Sequence, residues 1–153
     1  MNAKTKTTVR TKLSGVTESH SRTLLKSRDL IDVADEPEVR GGTNEGFAPT
    51  EMALASLIAC SNVISHKIAH KNDIEIIDMD FQVDAEFNRL GVTLQEEVDV
   101  PFPEILLTIN ITTAASDERL QILKDDLPKF CPVAKIFEQS GSKITTNWAI
   151  TKP

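Results

Sequence analysis

An α+β fold is predicted by three features of the sequence. Two segments, "DMDFQVDAEF" over 78–87 and "EILLTINITT" over 104–113, alternate apolar and polar residues with a period of two, as half-buried strands do. A third segment, from Pro49 to about Lys71, is apolar or small on nearly every face of its first half, as a central helix is. The resulting order, βββ-α-ββ-αα-β, contains no repeated βαβ unit and no Gly-x-Gly turn between strand and helix. That order argues against a doubly wound nucleotide fold. At 153 residues the chain reads as one domain, 1–153, able to bury roughly two-thirds of its unfolded surface.

Each element has a local cause. Val9, Thr11 and Leu13 alternate with Arg10 and Lys12, predicting a first strand that ends at Gly15. A second strand over about 20–26, with His20 in it, and a third over about 30–34 flank a break at "SRD". "DEPEVRGGTNEGFAP" then reads as a long connector punctuated by Pro37, Gly41, Gly42 and Gly46. Pro49 at the first helical position and Glu51 in the first turn, facing the positive end of the macrodipole, start a helix that Asn72 ends. Met79, Phe81, Val83, Ala85 and Phe87 share one strand face. Ile105, Leu107, Ile109 and Ile111 share another, and the two strands are expected to pair in an antiparallel sheet. Ser116 caps a helix with Asp117 and Glu118 in its first turn and an apolar stripe of Leu120, Leu123 and Leu127, and Pro128 is expected to stop it. A short helix over 132–139, closed by Gly141, and a last strand at "KITTNWAIT" complete the chain.

Charge and motifs narrow the function. The net charge of −6 lacks the basic stripe that nucleic acid or an anionic membrane demands, so neither is an expected partner. The longest apolar run, Met52 to Cys60, falls short of the ~20 residues of a membrane span. The N-terminal "MNAKTKTTVRTKLSG" resembles neither a secretory signal nor a transit peptide, and a cytoplasmic location is the expectation. No nucleophile elbow, phosphate loop or paired-cysteine zinc motif is present. His66 and His70 are spaced like a metal pair but have no third ligand nearby in sequence, and they also suit a helix C-terminus as solvated side chains.

The two cysteines remain. Cys131 lies between Phe130 and Pro132, where the N-terminus of a short helix would favour its thiolate. Cys60 lies mid-helix, where a reactive thiol needs a cation or donor brought from elsewhere. For both, an inert core cysteine and a reactive thiol stay open on physical grounds.

Two stretches carry a resemblance. "GGTNEGFAPTEMALASLIAC" and, seventy-one positions after Cys60, "FCPVAK" resemble the OsmC/Ohr family of thiol-dependent peroxidases, as does the element order. The resemblance implies an intertwined homodimer that reduces organic hydroperoxides. Cys60 would be the peroxidatic cysteine and Cys131 the resolving one, with a dithiol reductant such as a lipoylated protein, and no cofactor. Met52, Leu57, Val63, Ile64 and Phe130 are candidate pocket liners, with plain core packing the more ordinary role for each. The pattern is not complete. Where the organic hydroperoxide resistance branch has glutamate directly after the helix-start proline, this chain has Thr50, with Glu51 one place later and turned by about 100°. This looks more like the less characterised OsmC-like branch. The family's catalytic arginine falls near Arg22, with Arg28 and Arg40 as loop candidates and surface ion pairing as the alternative role for each. A small-molecule-binding or oxidant-sensing dimer without efficient turnover is the second implied reading.

Overall fold

The computed structural model describes residues 7–153. The reading of the basic N-terminal stretch as no targeting signal rests partly on residues 1–6, which lie outside the described residues. The chain groups into two compact units that meet in sequence between Ala53 and Leu54.

The first unit holds a three-stranded antiparallel sheet, β1 (Ser14–Thr17), β2 (Thr23–Ser27) and β3 (Leu30–Ala34), in that spatial order. β1 starts later than the alternation at 9–13 predicts. The reason is the length of its partner: pairing begins at Ser14↔Lys26, and β2 ends at Ser27, where Arg28 turns the chain with a φ of 57°. Val9 and Leu13 therefore have no strand to pair with and stay exposed. His20, expected in β2, sits in the preceding turn, where the amides of Glu18 and Ser19 donate to the Arg22 carbonyl at 3.0 and 3.2 Å. The connector after β3 contains a short 3₁₀ turn, Glu38–Arg40, and folds back so that Ala34 bridges Phe47. Two of its glycines are steric necessities: a Cβ on Gly42 would collide with the Glu36 carbonyl, and one on Gly46 with that of Val33.

Helix α1 (Pro49–Lys71) starts and stops where the sequence predicts and passes from the first unit into the second. By length and composition it could cross a bilayer, although its longest uninterrupted apolar run is short, because Ser61, Asn62 and Ser65 interrupt residues that are otherwise apolar or small. Its buried residues, Leu57, Ser61, Ser65, Ile68 and Ala69, form one stripe, whereas Val63 is 49% exposed. The helix is thus covered on one side rather than on several.

The second unit is built on a sheet of β4 (Asp78–Ala85), β5 (Glu104–Thr112) and β6 (Lys143–Thr151), with β5 in the middle. β4 and β5 pair antiparallel with Phe81 opposite Ile109, as the alternation requires. β6 runs parallel to β5, so this sheet is mixed rather than purely antiparallel. The connection explains the direction, since β5 reaches β6 through two helices, and a crossover of that length joins parallel strands. Ile105, Leu107, Ile109 and Ile111 of β5 form the core with Leu120, Leu123 and Leu127 of helix α2 (Asp117–Phe130) and Ala134 and Phe137 of helix α3 (Pro132–Gln139). Truncating one such leucine to alanine costs about 2–5 kcal/mol. Ser116 caps α2 as expected, accepting from the Arg119 amide at 3.4 Å. Pro128 does not stop α2, which runs on to Phe130. Proline removes one amide donor, but the Cys131 N–H still donates to the Leu127 carbonyl at 3.0 Å and completes the last turn.

Candidate active site

Cys131 occupies the junction of α2 and α3. Its amide closes α2, and its sulfur caps α3, accepting from the Ala134 N–H at 3.4 Å. The side chain is fully buried. The thiol titrates above its ordinary value: burial is the largest cause, the Ala134 amide opposes it, and the hydrogen bond and charge of the neighbouring Cys60 add to it. The helix-terminus donors expected to favour thiolate are present but are outweighed by desolvation.

The same interaction locates Cys60. It is near enough to Cys131 to raise the pKa of that thiol, and it is half-buried on α1 where Cys131 has no exposure. Both cysteines are free thiols. Residues seventy-one positions apart in sequence are thus neighbours in the fold.

The other candidates serve local structure. The Glu51 carboxylate accepts from the Ala48 amide at 2.9 Å, reaching back across the start of α1 as capping-box glutamates do. The Arg22 guanidinium donates to Glu18 at 2.6 Å and pairs with Glu45. Arg40 pairs with Glu36 at 2.5 Å, and Arg28 forms the β2–β3 turn. The pocket liners divide. Leu57 is fully buried core, Met52 borders a cleft in the first unit with Leu25 and Ile31, and Val63 is exposed. Ile64 and Phe130 line a groove of about 230 Å³ whose rim carries Lys67 and Lys71. His66 Nδ1 lies 2.9 Å from the Asn62 carbonyl of its own helix, and no cluster of three or more His, Cys, Asp or Glu side chains suited to a metal occurs among the described residues.

Two polar centres escaped the sequence reading. Asp35, at the end of β3, is buried. Its carboxylate accepts from the amides of Glu36, Thr43 and Glu45 at 2.8, 3.0 and 3.2 Å and from the Thr43 hydroxyl at 2.5 Å. The Thr43 hydroxyl is the main reason its pKa lies below the usual carboxylate value, and desolvation opposes it. An acid at a strand end before a Gly-rich loop was the available signal. Ser61, next to Cys60, is buried, and its Oγ has no hydrogen-bond partner among the described residues. A serine inside an apolar helix was its only trace.

Comparison with known proteins supplies the family. The fold matches an OsmC-like protein from Mycoplasma pneumoniae at 19% identity, covering 94% of this chain and 97% of that one with a TM-score of 0.74. It also matches an organic hydroperoxide resistance protein OsmC from Legionella pneumophila (14% identity, 95% and 99% coverage, TM-score 0.66). A third match is an organic hydroperoxide resistance protein from Elizabethkingia anophelis with thiocyanate bound (18%, 97% and 99%, TM-score 0.64). No match was found among curated proteins. The family model described as OsmC-like protein matches residues 42–147, a span that includes both cysteines and well over half of the sequence, and the chain therefore belongs to the OsmC family.

Proposed function

We propose that the protein is a thiol-dependent peroxidase for organic hydroperoxides, with Cys60 attacking and Cys131 resolving. The adjacency of the two free thiols is the observation that carries this reading. Cys60 is the better attacker because it retains exposure, whereas Cys131 is fully covered and held toward its neutral thiol. In the first step the Cys60 thiolate takes the distal peroxide oxygen: an S–O bond forms, the O–O bond breaks, and the alkoxide leaves and is protonated to the alcohol. The Cys131 thiol then displaces water from the sulfenic acid, forming the Cys60–Cys131 disulfide before further oxidation. An external dithiol reopens the bond by exchange and becomes oxidised itself. The net reaction converts hydroperoxide and dithiol to alcohol, water and a disulfide. The groove lined by Ile64 and Phe130 suits an apolar alkyl group.

The proposal extends to a cytoplasmic homodimer acting in the oxidative stress response, with residues 1–153 as a single domain. Val63, 49% exposed on α1, is an apolar side chain that self-association would cover. Arg22 and Glu51 would tune the thiolate, after leaving their present partners.

Those partners favour one second reading. With Thr50 in the position of the family glutamate, Glu51 engaged at Ala48 and Arg22 at Glu18 and Glu45, the protein would be an OsmC-like binder or oxidant sensor that turns over poorly. Consumption of cumene hydroperoxide with dithiothreitol decides between them. The peroxidase reading expects steady turnover that Cys60→Ser abolishes, while Cys131→Ser oxidises once and stalls. Full activity in Cys60→Ser overturns it, and one stoichiometric oxidation without turnover in the wild type favours the sensor.

A further inference from the structure

The second unit contains a cleft of about 420 Å³ that neither cysteine lines. Its apolar surface comes from Leu107 of β5, Leu127 of α2, and Ile144 and Trp148 of β6. Three polar residues line the same space. Ser61 is 1% exposed and its hydroxyl lacks a partner among the described residues. Lys124, half-buried on α2, and Glu138, exposed on α3, stand seven positions before and after Cys131. Neither charge is ion-paired among the described residues.

We propose that this cleft binds a small zwitterion with an apolar or aromatic body, of the kind an amino acid presents. Its carboxylate accepts from the Ser61 hydroxyl and the Lys124 ammonium, its own ammonium donates to Glu138, and its body lies on Trp148 and Leu127. Other ligand classes leave a group unmet. A purely apolar molecule ignores Ser61 and Lys124, a simple anion meets Glu138, and a simple cation meets Lys124. Good sites combine apolar walls with a few convergent polar groups, which is the arrangement here. The site goes beyond the peroxidase reading because no sulfur takes part in it. It lies behind the thiol pair, since Ala134, whose amide bonds the Cys131 sulfur, and Leu127, whose carbonyl bonds the Cys131 amide, form part of the wall.

Trp148 is the sole tryptophan, there is no tyrosine, and the side chain lines the cleft, so its fluorescence reports occupancy without any peroxide chemistry. The probes are L-phenylalanine, 3-phenylpropionate and 2-phenylethylamine, which share a ring and differ in charge. L-Phenylalanine should give a saturable change with Kd below about 10 mM, and each singly charged analogue should bind at least about tenfold more weakly. Lys124→Gln should weaken binding about tenfold, and Thr146→Phe, at an exposed strand position on the cleft, should block it. Absence of saturation with L-phenylalanine, equal binding by either analogue, or binding untouched by both variants overturns the proposal. A lone water on Ser61 in an idle cleft predicts the first of these results.

Discussion

Asp35 in the first unit and Cys131 in the second are both shut off from solvent, and their acidities move in opposite directions. Asp35 is met by three amides and a hydroxyl, so its charged form is solvated by the protein and its pKa falls. Cys131 accepts from the Ala134 amide at 3.4 Å and has a second thiol beside it, and desolvation prevails over the helix-terminus amides, so its pKa rises. Burial sets a penalty on charge in both places, and the number and strength of donors decide the sign. The first unit uses its buried acid to tie the loop over 36–47. The second unit holds its buried thiol toward the neutral form.

The largest test of this contrast is stability. Asp35→Ala leaves the amides of Glu36, Thr43 and Glu45 without their acceptor and should lower Tm by many degrees, whereas Ser61→Ala removes a hydroxyl that has no partner among the described residues and should leave Tm unchanged or slightly raised. Thermal melts of the two variants side by side check it, and equal losses would erase the distinction. A smaller effect is expected in acid. Because the Asp35 pKa is depressed on folding, its stabilisation is complete above the unfolded value near 3.8 and is lost as the pH falls through the lower folded value. Asp35→Asn should remove that part of the acid limb when denaturant midpoints are followed from pH 5 to about 2.

The smallest effect concerns the thiol. The Cys131 pKa is raised in the folded state, so the linked stability is present below the ordinary thiol value near 9.0 and is lost as the pH rises through the folded value. In Cys60→Ala the neighbouring thiol no longer pushes Cys131 upward, but burial remains. Alkylation by iodoacetamide against pH should therefore show a lower apparent pKa than in the wild type, still above 9.0. A value below the ordinary one would mean that the helix-terminus amides dominate after all.

Much of the architecture follows from local pattern. The Pro49 start and Asn72 end of α1, the Ser116 cap and the register of β4 on β5 depend on residues within a few positions of each other. The parallel pairing of β6 with β5 and the late start of β1 depend on where distant strands end, which no local period records. The same division runs through the candidate site. Cysteine contexts in the sequence singled out Cys60 and Cys131, and the neighbourhood of Glu51 marked a helix start. The partners of Asp35, the orphaned Ser61 hydroxyl and the sign of the Cys131 shift needed three-dimensional neighbours.

Element order, helix ends and strand faces were written in the residues themselves, because hydrogen-bonding period, capping and turn chemistry act over one or two turns of chain. The nearness of two cysteines seventy-one positions apart, the protonation state favoured at one of them, and the meeting of Ser61, Lys124 and Glu138 along one cleft arose from packing alone. Desolvation and donor geometry are properties of the space around a group, and the chain creates that space only when it folds.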